Sequence, residues 1–258
     1  MPDFDLSRVL RPAVPAGRRV AVVLPAYNAA RTLAATLEAL PPGCVDDLLL
    51  VDDASRDDTV AVAKGLGLPV IVHDRNRGYG GNQKTCYRWA LDRGADVVVM
   101  LHPDNQYDAR MVPHAVGVVE LGICDVVLGN RVRCRREALD GGMPWWKYLA
   151  NRGLTLFQNF ATGQNLGEWH SGFRVYHRNV LEAVPFDRNS DDFAFDAQFL
   201  VQAVRWGFRL GDVPVPVRYF SEASSIGFGR SVRYGLLAVA AVGEFWRWRL
   251  GLPAARLR

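Results

Sequence analysis

Five short, nearly continuous apolar runs mark the first half of the chain: Val20–Leu24, Leu48–Val51, Val70–Val72, Val97–Leu101 and Val126–Leu128. Runs of this length without polar alternation predict strands buried on both faces, as in a parallel sheet covered by helices. Between them the spacing changes. Leu33, Leu37 and Leu40 share one helical face, and so do Thr59, Val62, Ala63 and Leu66. Ser55 with Asp58 three residues on predicts a capping box at the second helix. Alternating strands and helices predict an α/β fold with a doubly wound, mostly parallel, Rossmann-like sheet flanked by helices.

The second half is less regular. Helical patterns cover Asn151 to Ala161, Phe193 to Trp206 and Ser231 to Arg249, while residues 131–150 read as a long functional loop. Val213-Pro214-Val215-Pro216-Val217 reads as an edge strand, because two prolines remove ladder donors. No repeat or low-complexity stretch is present. The expected organisation is an N-terminal arm (1–18), one α/β domain (19–226) and a C-terminal amphipathic helix (227–258).

Composition narrows this picture little. A 258-residue chain with 49% hydrophobic and 22% charged residues is that of an ordinary globular protein. The net charge of +4 is mild, but the cations are clustered. Arg131, Arg133, Arg135, Arg136, Lys147 and Arg152 face only Glu137 and Asp140. After Gly227, Arg230, Arg233, Arg247, Arg249, Arg256 and Arg258 face Glu244 alone. Both segments carry tryptophans, a combination suited to a phosphate-rich or membrane-surface partner, although solvated surface charge explains most such clusters. Cys44, Cys86, Cys124 and Cys134 form no Cys-x-x-Cys pair and read as buried free thiols in a reducing compartment. Residues 1–19 lack the apolar stretch of a secretory signal, and the apolar run Leu236–Val242 falls far short of the roughly 20 residues a spanning helix needs. A cytoplasmic protein, peripheral at most to the membrane face, is expected. No nucleic-acid recognition motif is present, and nucleic acid is not an expected partner.

Ligands of open α/β sheets bind beyond the carboxyl ends of the strands. The first strand ends in Pro25-Ala26-Tyr27-Asn28, the second in Asp52-Asp53-Ala54-Ser55-Arg56-Asp57-Asp58-Thr59, and the fourth in His102-Pro103-Asp104-Asn105-Gln106. Aspartates after strands also cap helices, so each alone is weak. The fourth is the most informative. A Mg²⁺ or Mn²⁺ bound to a diphosphate needs only one or two protein carboxylates. Asp104, alternating with His102 and Gln106 along an extended segment, offers such a ligand set. His102 alone could as easily be a core histidine satisfied by backbone, but its alternation with Asp104 and Gln106 favours the ligand reading. Asn76-Arg77-Gly78-Tyr79-Gly80-Gly81-Asn82-Gln83-Lys84 opens a helix whose N-terminus can approach an anion, with Lys84 or Arg77 adding charge. It is not a dinucleotide fingerprint, because the glycine spacing is wrong and the stretch comes after the third strand, which disfavours a nicotinamide oxidoreductase; no Walker loop is present either.

Taken together, these stretches resemble the inverting, GT-A-fold glycosyltransferases of family two, and within them the polyprenyl-phosphate sugar synthases typified by dolichyl-phosphate mannosyltransferase. The resemblance covers about Arg19 to Ile226. Pro25-Ala26-Tyr27-Asn28 is similar to the family's Pro-x-Tyr-Asn at the base, and Asp52 to Thr59 to its Asp-Asp-x-Ser-x-Asp-x-Thr, in which an aspartate contacts the base. Asn76-Arg77-Gly78-Tyr79-Gly80 resembles its Asn-x-Gly-x-Gly. His102 to Gln106 stands in the place of its Asp-x-Asp-x-Gln metal motif. Ser171-Gly172-Phe173-Arg174 and Ala223-Ser224-Ser225-Ile226 resemble its later Ser-Gly-Phe-Arg and Ser-Ser-Ile signatures. Two positions depart. His102 replaces the first metal-motif aspartate, a softer donor that favours Mn²⁺ over Mg²⁺ if it ligates. Ala29 replaces the acidic residue that often comes after Tyr-Asn.

The resemblance implies inverting transfer of a hexose from a GDP- or UDP-linked sugar with a divalent metal. It places Pro25, Tyr27, Asn28, Asp53, Asn76, Gly80, Lys84 and Asp104 around the nucleotide sugar, and Asp104, His102 and Gln106 around the metal. A hydroxyl acceptor needs a base, for which Asp191, Asp192 and Asp196 are candidates and Asp192 the first choice beside Asp104 as catalytic residues. A polyprenyl-phosphate acceptor is already anionic and needs cations instead; Arg131, Lys147 and Arg152 lie in the segment resembling the family's acceptor region. Lipid phosphate is the preferred acceptor because Trp145 and Trp146 sit among those cations. A hydroxyl acceptor on a polysaccharide precursor or natural product, and a non-catalytic nucleotide-sugar-binding protein, remain the alternatives.

Overall fold

The computed structural model describes residues 18–217 and 228–257. The N-terminal arm up to residue 17 and the Ala223-Ser224-Ser225-Ile226 signature lie outside the described residues.

In chain order the elements are β1 (Val20–Ala26), α1 (Leu33–Glu38), β2 (Asp47–Asp52), α2 (Thr59–Gly65), β3 (Val70–Val72), α3 (Tyr79–Asp92), β4 (Val97–Leu101), α4 (Val112–Glu120) and β5 (Val126–Asn130). Next come α5 (Arg135–Asp140), α6 (Trp145–Thr162), β6 (Phe173–His177), α7 (Arg178–Ala183), α8 (Ala194–Arg205), β7 (Leu210–Pro214) and α9 (Phe228–Arg249). The strands form one seven-stranded sheet in the order β3-β2-β1-β4-β6-β5-β7. Among the described strands only β6 runs against its neighbours.

The five apolar runs are the five parallel strands expected. Their strict side-to-side alternation divides the core in two. Val20, Val22 and Leu24 of β1 join one layer with Leu33 of α1, Ala63 of α2 and Val116 of α4. Ala21 and Val23 join the other with Cys86 and Tyr87 of α3 and Phe195 and Phe199 of α8.

β6 escapes a search for apolar runs, because Phe173-Arg174-Val175-Tyr176-His177 carries an arginine at its second position. Arg174 is nevertheless fully buried in this strand, 2.7 Å from the Asp196 carboxylate of α8. A buried cation survives only when it is paired in this way.

Four expectations need correction. Residues 131–150 are not one long loop: α5 occupies Arg135–Asp140 and α6 starts at Trp145. Ser55 caps no helix, because its Oγ accepts from the Asn28 amide (2.9 Å) across the strand ends; the Thr59 amide is held by the Asp57 carboxylate at 3.1 Å. All four cysteines are free as expected, but only Cys86 is buried, where burial pushes its thiol pKa up; Cys134 is exposed. The edge strand expected at 213–217 starts earlier: β7 is Leu210–Pro214, beside β5 at the sheet edge, and beyond it only Val217 bridges, to Tyr107.

Candidate active site

The carboxyl edge of the sheet is shaped by three left-handed residues that are not glycine. Asn28 (φ 55°), Ala54 (φ 58°) and Asn105 (φ 54°) lie just after β1, β2 and β4 respectively. Asparagine tolerates this region; for alanine it is a strained conformation that the surrounding loop must hold. The register places the ends of β1 and β2 flush, with Ala26 beside Asp52. The two loops are then stitched together, since Asn28 Oδ1 accepts from the Arg56 amide at 2.8 Å while its own amide donates to Ser55.

Asp53 anchors a third loop. Its carboxylate accepts from the amides of Arg77 (2.7 Å) and Gly78 (3.0 Å) and meets His73 Nδ1 at 2.8 Å. Asn76 Nδ2 donates to the Asp53 carbonyl (3.2 Å). Asp53 and Asn76 line the site, with these side-chain atoms holding the 76–78 loop in place. Gly80 and Lys84 do not line it. The Gly80 and Gly81 amides donate to the Asp191 carbonyl at 2.7 and 3.2 Å, so these first amides of α3 are already occupied. Lys84 Nζ reaches the Asn189 carbonyl (2.5 Å) and the Asp191 carboxylate (2.7 Å). The glycine stretch expected to cradle an anion is a docking surface for the 189–192 loop. Gly78 (φ 84°) and Gly80 are needed there because a Cβ at either would strike that loop's backbone.

After β4 the chain turns, with Asn105 in the left-handed region and the Gln106 amide donating to Asp104 Oδ1 (3.1 Å). The segment is thus not extended as expected, yet His102, Asp104 and Gln106 all face one cavity. His102 Nε2 lies 3.2 Å from the Tyr79 hydroxyl, and the two rings stack with centroids 5.5 Å apart. Burial lowers the His102 pKa, against the pull of Asp104 and Asp196, and favours the neutral ring. The Tyr79 hydroxyl donates to Asp196 (2.7 Å), which also receives Gln83 Nε2 (3.1 Å) and the Arg174 guanidinium. Gly172 leaves room for His102: a Cβ there would sit 2.5 Å from the imidazole. The Ser-Gly-Phe-Arg motif therefore supports the site through this clearance and through Arg174. Tyr79 is the hub that the sequence pattern did not mark as one; its signal was only its place inside the glycine stretch.

The cavity is about 580 Å³ and continues from these strand ends to α6 and α9. Among the cations expected there, Arg131 and Lys147 line it and Arg152 does not. Arg152 Nη1 instead donates to the Gly167 carbonyl (2.5 Å). Arg131 is paired: Nε meets the fully buried Glu168 at 2.6 Å and Nη2 donates to the His170 carbonyl at 3.0 Å. Lys147 has no hydrogen bond or ion pair among the described residues, and burial, aided by nearby Arg131, lowers its pKa. Trp146, noted in the sequence among these cations, also lines the cavity, as do His170 and Tyr234, which the sequence pattern did not single out. His170 Nδ1 meets the Tyr234 hydroxyl at 2.7 Å; burial and the guanidinium groups of Arg131 and Arg174 hold the His170 pKa down at about 3. Of the three aspartates weighed as bases, Asp191 is exposed beside Lys84, and Asp196 is locked to Arg174 and Tyr79. Asp192 lines the cavity, 3.2 Å from Arg233.

Comparison with known proteins agrees with this architecture. Residues 21–184 match the family described as "Glycosyl transferase family 2", and the chain belongs to that family. It is a glycosyltransferase. The undecaprenyl-phosphate mannosyltransferase of Micrococcus luteus is 30% identical over 252 residues, which span 91% of this chain and 100% of that protein. The polyprenol monophosphomannose synthase of Mycolicibacterium smegmatis is 26% identical over 238 residues, covering 88% and 87% of the two chains. In structure, the chain is similar to glucosyl-3-phosphoglycerate synthase of Mycobacterium tuberculosis, solved with Mn²⁺, UDP-glucose and phosphoglyceric acid. That likeness has a TM-score of 0.68 at 22% identity, over 99% of this chain and 87% of that one, and it establishes the GT-A fold expected from the resemblance.

Proposed function

We propose that this protein transfers a hexose, with inversion, from a nucleotide sugar to the phosphate of a polyprenyl lipid. The observation that carries the reading is the continuity of one cavity between Asp104 and the Lys147–Arg131 pair. Donor and acceptor ends face each other across a single space. The relatives named as undecaprenyl-phosphate and polyprenol transferases support the same acceptor.

The nucleotide lies against the joined ends of β1 and β2, where Pro25, Tyr27 and Asn28 line the cavity above the Asp53-anchored loop. Asp104 is the carboxylate that would hold a divalent ion carried by the diphosphate. Among the described residues no three His, Cys, Asp or Glu side chains form a metal cage. That donor set fits an ion such as Mg²⁺ or Mn²⁺, which keeps most of its ligands from phosphate and water. When bound, the ion neutralises charge on the departing nucleoside diphosphate. Gln106 can add an oxygen, whereas His102, whose Nε2 is held at Tyr79, orients the loop.

The acceptor phosphate is met by Lys147 and Arg131. An ammonium held half-buried beside a guanidinium is unfavourable until an anion arrives, and this favours a doubly charged phosphate. Such an acceptor attacks without a base, leaving Asp192 to position Arg233 at the rim. A hydroxyl acceptor would give Asp192 the base's role instead. The test is incubation with labelled GDP- or UDP-hexose, Mn²⁺ or Mg²⁺, and polyprenyl phosphate, with organic extraction afterwards. Label in the lipid phase is expected. Label that stays in water-soluble products would refute the lipid acceptor.

A further inference from the structure

His170 stands one residue before the Ser-Gly-Phe-Arg motif and holds two groups at the acceptor end of the cavity. Its carbonyl receives Arg131 Nη2 at 3.0 Å, and its ring Nδ1 meets the Tyr234 hydroxyl at 2.7 Å. The two rings meet edge to face, with centroids 5.3 Å apart. Tyr234 comes from α9, which lies against α6 at this point: a Cβ on Gly235 would meet Leu154 at 3.4 Å. Both His170 and Tyr234 line the cavity, together with Lys147, Ala150 and Leu154, which recur on one face of α6.

The other ring nitrogen decides what Tyr234 can do. His170 Nε2 is buried and has no hydrogen-bond partner among the described residues. The ring is neutral, since burial and the nearby guanidinium groups hold its pKa down at about 3, so it carries a single N–H. A buried N–H without an acceptor is the costlier orphan, and the positive field of Arg131 and Arg174 disfavours it further. The proton therefore sits on Nδ1 and is donated to the Tyr234 oxygen. The Tyr234 hydroxyl cannot then donate back to His170, and it has no other hydrogen bond among the described residues. Burial raises its pKa, so it keeps its proton. One O–H is left to donate, on a residue that lines the cavity.

We infer that Tyr234, its hydroxyl oriented by His170, donates a hydrogen bond to a phosphate oxygen of the acceptor. The two cations leave this part to be filled. Lys147 is a point charge on a flexible stem, which attracts an anion without fixing its orientation. Arg131 has Nε on Glu168 and Nη2 on the His170 carbonyl. A phosphate monoester presents three terminal oxygens, and a neutral donor of fixed direction orients one of them without adding a further charge to the cavity. Tyr234 is thus the contacting residue and His170 a positioning residue. The inference rests on the reading of this end as the acceptor-phosphate site, and it applies to a lipid phosphate and a soluble one alike.

The test is calorimetric titration of the full chain with farnesyl phosphate, a short polyprenyl phosphate, and with glycerol phosphate, a soluble phosphate monoester. Tyr234→Phe should raise the Kd of whichever of them the wild type binds by about 3- to 10-fold, the value of one neutral hydrogen bond, with the Kd for GDP or UDP unchanged. His170→Ala should act alike, and the double substitution should lose no more than Tyr234→Phe alone. His170→Asn, whose amide can stand in for the Nδ1 donor, should restore most of the affinity. Nitrogen NMR of the wild-type histidine ring should find the proton on Nδ1, a readout that needs no variant to fold. A Tyr234→Phe protein that binds the phosphate within about twofold of wild type, or a ring proton on Nε2, overturns the inference and leaves the acceptor reading intact. An equal loss of nucleotide affinity, or additive losses in the double variant, also overturns it, by assigning the pair a structural role or uncoupling its members. Wild-type protein that binds glycerol phosphate but not farnesyl phosphate refutes the lipid acceptor, and the Tyr234→Phe ratio on the soluble ligand then decides the inference. Binding of neither overturns both.

Discussion

The two ends of the cavity are made differently. At the proposed donor end, the loops after β1, β2 and β4 bond to one another and to the 76–78 loop: Asn28 to Arg56, Asp53 to Arg77 and Gly78, Thr32 to the Pro103 carbonyl at 2.6 Å. At the acceptor end, Lys147 has no partner among the described residues, and α6 turns aromatic side chains outward. The first end is held in shape by its own polar network. The second holds a cation that no described residue pairs. A site that joins a soluble nucleotide to a water-insoluble lipid would be expected to differ in this way at its two ends.

The sharpest way to break that contrast is Asp104→Asn. Removing the carboxylate placed for the diphosphate's ion should reduce turnover by at least about a hundredfold, as loss of a group that stabilises transition-state charge does, with the melting temperature little changed. Steady-state product formation checks it, and a loss below tenfold would mean that the donor end is organised around another group. The acceptor end is probed by a pair of charge removals. Lys147→Met should raise the acceptor KM by about 10- to 100-fold, the value of one charge-assisted contact, with donor KM unchanged. Arg152→Met, whose guanidinium holds the Gly167 carbonyl, should leave acceptor KM within about twofold. Equal effects would contradict the cavity's division of these two cations.

Gly80→Ala tests whether the glycine stretch is packing and not an anion cradle. A Cβ there meets the Ser190 carbonyl and lies 2.8 Å from Phe195 Cβ, so denaturant unfolding should show a loss of about 1–3 kcal/mol. Unchanged stability with weakened donor binding would return the stretch to the nucleotide. A last test concerns pH. His170 titrates at about 3 in the fold, below the ordinary histidine value near 6.5. The unfolded chain therefore binds the extra proton first, so the contribution is intact above about pH 6.5 and declines as pH falls towards 3. Melting curves across that window should fall with acid, and His170→Asn should flatten part of the slope.

Much of the strand-end side of the cavity was legible because it is local. Pro25-Ala26-Tyr27-Asn28, Asp52 to Thr59 and His102 to Gln106 each come directly after an apolar run, and a parallel strand delivers its next residues to the sheet's carboxyl edge. Gly80 and Lys84 were misplaced because a glycine-rich helix start looks the same whether an anion or a carbonyl oxygen meets it. Ser55 was misread for a similar reason: its partner, Asn28, lies 27 residues away. The antiparallel β6 was missed because burial of Arg174 depends on Asp196, an acid from another element.

The sequence by itself determined the α/β class, the five parallel strands, the edge position of 213–217 and the family, because these derive from periodicity and contiguous motifs. Tertiary structure decided which charges face the cavity and which face of α6 meets the outside. Arg131, Lys147 and Arg152 are indistinguishable as a set of cations; Glu168 and the Gly167 carbonyl, brought in by the fold, separate them. The periodicity of α6 revealed an amphipathic helix but not its orientation. A helical stripe fixes which residues lie together, whereas only the packing against the rest of the molecule decides whether that stripe points inward or out.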